Sequence, residues 1–378
     1  MLTETTRTRD FPSLAGRTYL NTAAEGIPPR ETGWALERYW ADKCQGMRGR
    51  EAHFAEMEAC REVAAEMVGL EAEEVAFCSC SSEAYNLLAS ALSLGESDEV
   101  VVTDLDFPAG ATPWLRAQPS PLVRLWRSGH GELEPADLAA LLTERTRLVQ
   151  VSLVSFYNGH RLDWDEVVET VRQRAPEAVL AVDVTQALGR VVLQGAEALT
   201  GADIIISSTH KWALGVHGGC VVGIPRRNAE RLTTRAGGWF HLSNAFEADR
   251  FDRAVSKAGA ASYAVGMPNF PAIYALNAGL RYLREQGLTE VQARADALTA
   301  RLAAGLTDLG VGLMCPWRVE RPSGIMAFQH ERSSEMHAAL EAEEIHVMHH
   351  AGRLRMAVHG YNTEADVDRF LEVMRRLV

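Results

Sequence analysis

Amine chemistry in this chain has three candidate groups. Of its 38 basic residues only Lys43, Lys211 and Lys257 are lysines. Arginine holds its proton near neutral pH and cannot form an imine, so the arginines are out of contention. Lys43 lies in the polar run ADKCQGMRGR and Lys257 in DRAVSKAGA, where both are expected to be solvated. Lys211 follows the apolar run ADIII, within Ser207-Ser208-Thr209-His210-Lys211-Trp212. An amine at the end of a buried strand is partly desolvated, which lowers its pKa and favours the nucleophilic form. A lysine snorkelling from a strand end to water looks the same in sequence, so both readings stand at this point.

Three other groups have chemistry-bearing spacing. Asp183 sits in AVLAVDVTQALG, and a carboxylate in so apolar a run needs a partner. A protonated ring nitrogen would serve, with Gln186 three residues on reaching the same ligand; a plain turn cap is the other reading. Cys78-Ser79-Cys80-Ser81-Ser82-Glu83 opens a helix, whose free N–H groups and hydroxyls suit a phosphate or simply cap the helix. It lacks the glycines and lysine of a nucleotide-binding P-loop. Arg353-Leu354-Arg355 puts two arginines on one face of a strand, either as a carboxylate clamp or as a solvated edge.

The elements that must position these groups alternate. Short apolar runs (EVAFCS, DEVVVTD, RLVQVSLVS, AVLAVDV, ADIIISS, GCVVGIP) are separated by helical patterns such as 82–94 and 164–174. That rhythm predicts an α/β fold with a mostly parallel sheet covered on both faces, its ligand at the carboxyl ends of the strands. Residues 226–265 lose the rhythm. Helices are expected over 271–286 and 289–309. The runs SGIMAFQH, IHVMHH and RLRMAVH, with a last helix from 363, predict a small C-terminal α/β unit. The expected division is a large domain over 21–265 and a small one from 1–20 and 285–378, joined by the helix 271–286.

The 378 residues suit two domains, and 47% hydrophobic with 23% charged supports a sizeable core. A net charge of −12 argues against nucleic acid or an anionic membrane as partner. No apolar run is long enough for a membrane span, and MLTETTRTRDF has no signal-like apolar core. Six cysteines form no disulfide framework, so a reducing, cytoplasmic setting is expected. His349-His350 lacks a third ligand at suitable spacing, and no metal is expected.

In order and combination, the phosphate-type helix start, Asp-x-x-Gln, Ser-x-His-Lys and C-terminal arginine resemble the class V aminotransferase family of fold type I pyridoxal 5′-phosphate (PLP) enzymes. That family includes cysteine desulfurases, cystine C–S lyases and kynureninases. The resemblance runs from Tyr19-Leu20-Asn21 and Gly26 to Gly360-Tyr361-Asn362-Thr363-Glu364. It implies the fold type I architecture, PLP as cofactor, a small-molecule amino-acid substrate and a homodimer. By resemblance Lys211 is the Schiff-base lysine and Asp183 the partner of the ring nitrogen. Gln186 would meet the phenolic oxygen, and Ser81, Ser82, Ser208 and His210 the phosphate. Phe107 would stack on the ring, Arg355 would bind the α-carboxylate, and Asn21 would also meet the substrate.

Some positions depart from the family. Ile345 to Arg355 holds no cysteine, where desulfurases carry their persulfide-accepting one; Cys315 is the nearest. Gly266-Met267-Pro268 replaces the Gly-Thr-Pro by which a neighbouring subunit touches the phosphate. Whether Asn158 takes over the contact of the desulfurases' asparagine is open. The leading expectation is a class V aminotransferase. C–S lyase or desulfurase-like elimination is the alternative, and a non-catalytic PLP-binding module is a reading from another class.

Overall fold

A computed structural model describes residues 3–195 and 198–378. Its strands are β1 (Thr18–Tyr19), β2 (Val75–Cys78), β3 (Glu99–Thr103), β4 (Leu122–Trp126), β5 (Thr146–Ser152), β6 (Val179–Asp183), β7 (Ile204–Ser208), β8 (Cys220–Gly223), β9 (Ile325–Gln329), β10 (Ile345–His346), β11 (Met348–His350) and β12 (Arg353–Ala357). The main helices are α1 (Glu4–Asp10), α2 (Arg30–Cys44), α3 (Arg50–Val68), α4 (Ser81–Leu92), α5 (Pro108–Arg116), α6 (Pro135–Leu141), α7 (Trp164–Arg174), α8 (Phe270–Gln286), α9 (Leu288–Asp308), α10 (Ser333–Ala342) and α11 (Glu364–Arg375).

Seven strands form one sheet in the order β2-β8-β7-β6-β5-β3-β4. The run from β7 to β4 is parallel, while β8 is antiparallel to both its neighbours. Alternation along each central strand divides its side chains between two apolar layers. Val101, Leu180, Val182 and Ile205 join α3 and α8 on one face. Val100, Val102, Ala181, Ile204 and Ile206 join Tyr85 and Leu88 of α4 and Trp114 of α5 on the other. This is an α/β/α sandwich. Its central parallel strands have no water-facing side, which is why they read as unbroken β-branched runs.

The expected strands are all present, and β1 and β4 are additions. Leu122-Val123-Arg124-Leu125-Trp126 is an edge strand with a charge at its centre, so it does not read as a buried run. Arg124 leans onto β3 and pairs with buried Glu99, at 2.7 and 2.9 Å. The N-terminal helices α2 and α3 also pack on the large sheet's side. Where 226–265 loses its rhythm, the chain runs irregularly, with short 3-10 turns at Arg226–Asn228 and Gly259–Tyr263.

A third core is separate. Leu298, Leu302 and Leu306 of α9 pack with Met326 and Phe328 of β9, Leu354 and Met356 of β12, and Phe370 and Met374 of α11. β12 is the central strand of the sheet β11-β12-β9. A capping box at Thr363 and Asp366 starts α11. No described helix is long and apolar enough to cross a membrane.

Candidate active site

The carboxyl ends of β6 and β7, the start of α4 and one face of β12 converge. Lys211 lies just after β7, in the connection to β8, which Thr209 closes by donating its hydroxyl to the carbonyls of Val216 and Gly219, both at 3.0 Å. Gly26 packs against this loop: its N–H donates to the His210 carbonyl at 2.9 Å. A Cβ at position 26 would lie 1.9 Å from the Lys211 carbonyl oxygen, so only glycine allows the approach. The Lys211 amine is pushed down to about 8, chiefly by burial, with the nearby Arg355 charge acting in the same direction and Asp183 opposing. Lys43 and Lys257 are both exposed. Lys211 itself is half-buried.

Asp183 ends β6 with both oxygens engaged. Thr185 N–H donates to Oδ1 at 2.7 Å, and the Tyr85 hydroxyl of α4 donates to Oδ2. The turn-cap reading is therefore realised by one oxygen, while the other is held by a buried phenol. A second carboxyl stands close by. Asp106 accepts from Ser152 N–H at 2.8 Å, and Ser152 pairs in register with Asp183. Asp106 Oδ2 is buried without a partner, and burial raises this carboxyl to about 7. Gln186 is buried and already committed: its oxygen accepts from Trp212 Nε1 at 2.6 Å and its nitrogen donates to the Ala23 carbonyl at 3.1 Å. One amide hydrogen remains for a ligand.

At the start of α4, Ser208 Oγ donates to Ser81 Oγ at 3.1 Å, and Ser208 N–H donates to Thr185 Oγ1 at 2.9 Å. No side chain caps the first turn of α4, so its N–H groups face the hydroxyl pair uncapped. Ser82 is exposed. The His210 ring stacks on His217 at 4.3 Å, and burial followed by the Lys211 charge lowers it to about 4. It is neutral at pH 7 and makes no hydrogen bond to Ser81 or Ser208. Phe107 caps α5 from outside; its ring meets Phe156 edge-on at 5.1 Å and lies 5.8 Å from the Lys211 amine.

Both arginines of β12 are buried, which removes the solvated-edge reading. They share the face that looks away from the third core. Arg355 Nη1 donates to the Phe156 carbonyl at 2.6 Å, and its Nε has no partner. Asn21 bridges to Ala357 on the same strand, and its side-chain oxygen is buried and unpartnered. Tyr85, Thr185 and Asp106 are contributors that the sequence reading missed. The Asp-x-Thr spacing of a side-chain turn could have indicated Thr185. Tyr85 follows Ser81 by four residues, one helical turn, but nothing in its own segment marks it.

The chain's similarity to known proteins runs along its whole length. The family described as Aminotransferase class-V matches residues 19–370. This chain belongs to the class-V aminotransferase family. An uncharacterized aminotransferase, YcbU of Bacillus subtilis, is 26% identical over 94% of this chain and 93% of its own length. A cysteine desulfurase of Yersinia pseudotuberculosis is 27% identical over 97% of the chain and 96% of its own. Among solved structures, the cystine C–S lyase C-DES with cysteine persulfide superposes with a TM-score of 0.87 at 18% identity, over 97% of this chain and 99% of that one. An apo cysteine desulfurase from Thermococcus onnurineus gives 0.87 at 23% identity, over 100% and 98%.

PLP is the cofactor of this class-V enzyme, and the residues present fit it. A carboxylate fixed by Tyr85 and Thr185 suits a cationic ring nitrogen, an uncapped helix start beside two serines suits a phosphate, and a desolvated amine suits an aldehyde. Asn158 is turned to another task. Its nitrogen donates to the Gly131 carbonyl at 2.7 Å and its oxygen accepts from His160 N–H at 3.0 Å. Cys315 lies near that loop too, 3.9 Å from His160 Nδ1, and burial pushes its thiol up to about 12. Glu132, His160 and Cys315 are close enough for a metal trio. However, Leu133 N–H donates to His160 Nε2, which leaves the ring proton on Nδ1, and Arg318 takes both Glu132 oxygens.

Proposed function

We propose that this protein binds an α-amino acid by its carboxylate, removes the Cα proton and expels a substituent from Cβ, as a C–S lyase does. The single observation that carries the reading is Lys211: the one of the three lysines that is not exposed, with its pKa pushed down to about 8, among Asp183, Arg355 and the α4 helix start. Bound PLP would withdraw electrons from Cα. Lys211 would hold the cofactor through its Nζ and then accept the Cα proton there, which requires the neutral amine. The fixed Asp183 carboxylate would keep the ring nitrogen protonated. Ser81, Ser208 and the first turn of α4 would hold the phosphate. Phe107 would cover one ring face, and Arg355 would orient the carboxylate so that the Cα–H bond faces Lys211.

Elimination is favoured over the expected aminotransfer by the relatives named cysteine desulfurase and cystine C–S lyase. The absence of cysteine from 345–355 favours release of a small sulfur product over a persulfide on the protein. Aminotransfer is the second reading, supported by the similarity to YcbU. Product analysis separates them. With single amino acids, elimination gives a keto acid plus ammonia and restores the starting visible spectrum; aminotransfer leaves the cofactor as its amine. Accumulation of that amine form without ammonia would overturn the elimination reading.

We further propose a homodimer as the working unit. Phe246 and Phe251, at 83% and 89% exposure, lie with Trp239 and Met267 on the irregular segment 237–269, an apolar surface of the kind that partners cover.

A further inference from the structure

β12 presents two cations where one substrate carboxylate needs only one. Arg353 and Arg355 alternate with Leu354 and Met356, which are packed in the third core, so both guanidinium groups extend from the opposite face. They are only 3% and 2% exposed. Neither forms an ion pair with a described residue. Arg355 has the Phe156 carbonyl as a partial partner. The Arg353 guanidinium lies 4.0 Å over the Tyr157 ring, and its Nε and Nη1 have no hydrogen-bond partner. Burial and the charge of Arg353 lower Arg355 to about 10, so the arginine remains charged at neutral pH.

Two adjacent, buried and unneutralised guanidinium groups repel each other and have lost their hydration, a cost that a bound anion on each would offset. Tyr157 supplies a ring face and a side-chain hydrogen bond, neither of which is a counter-ion, and Nε and Nη1 stay unfilled. We propose that Arg353 is a second anion fork, so that the substrate is an α-amino acid carrying another acidic group on its side chain. Strand rise sets the two Cα atoms about 7 Å apart. Long side chains reaching inward over that span suit an α-carboxylate and a second acidic group carried on the Cβ substituent, and dicarboxylates of four carbons probe that pairing. This rests on the reading of Arg355 as the α-carboxylate clamp.

The test uses the PLP-loaded enzyme and equilibrium binding, read from the cofactor's visible band and from thermal shift. The ligands are L-aspartate against L-asparagine, and succinate against butyrate. Each acidic member should bind more tightly than its partner by roughly 30-fold or more. In Arg353→Met the ratio should fall to about one, and Arg353→Lys should restore part of it. A wild-type ratio near one, or a ratio unchanged in Arg353→Met, would overturn the proposal. If Arg353→Met does not fold, the wild-type ratios decide alone. Arg355→Met distinguishes the two levels: loss of all four ligands upholds the clamp whatever Arg353 does, whereas unimpaired binding sinks the clamp itself.

Discussion

An amine captures an aldehyde only when it is neutral, and for Lys211 the surroundings set how often that is. At a pKa of about 8, roughly one amine in ten is neutral at pH 7, against about one in three thousand at the ordinary lysine value. Capture of PLP by the cofactor-free protein should therefore speed up with rising pH, through a midpoint near 8. The neighbours predict opposite displacements. Asp183→Asn removes an anion that favours the charged amine, so the midpoint should fall; Arg355→Met removes a cation that disfavours it, so the midpoint should rise. A pH series of borohydride-trapped cofactor measures this, and shifts of the same sign in both variants would refute the electrostatic account. Lys211 was legible in the sequence because lysine is scarce and the preceding run is apolar. The commitments of Gln186 and Asn158 were not, because their partners Ala23, Trp212 and Gly131 are supplied by other parts of the fold.

At the scale of elements, the parallel strands announced themselves through their two-sided burial, and the site lies at their carboxyl ends. The edge strand β4 was hidden by Arg124, whose charge is neutralised only once β3 is beside it. The N-terminal segment was legible as a resemblance, but its mechanical role was not. Gly26 seats the backbone against the Lys211 loop, and Gln186 ties Ala23 to the same region. Gly26→Ala places a methyl against a backbone carbonyl that has no rotamer to move, so a loss of about 1–3 kcal/mol is expected. Thermal unfolding should show it, along with weakened cofactor retention. Unchanged stability and retention in Gly26→Ala would mean that the segment does not support the site.

Across the whole molecule, two apolar layers enclose the large sheet and a third core carries β12. The site joins them: Lys211 and Asp183 stand on the large sheet, while Arg355 reaches from β12 to the Phe156 carbonyl. Phe246 and Phe251 of 237–269 stay exposed among the described residues, and a sequence read one segment at a time could only mark that stretch as irregular. Sedimentation should give twice the 41.5 kDa chain mass, and Phe246→Asp with Phe251→Asp should shift it to the monomer. A fully active wild-type monomer would contradict the dimer.

The most direct measurement is borohydride reduction of the PLP-loaded protein followed by peptide mapping. The expected result is loss of the visible band and one stable cofactor adduct, on Lys211, with none in Lys211→Ala. A stable adduct on Lys43 or Lys257 instead, or a visible band that borohydride leaves unchanged, would contradict it.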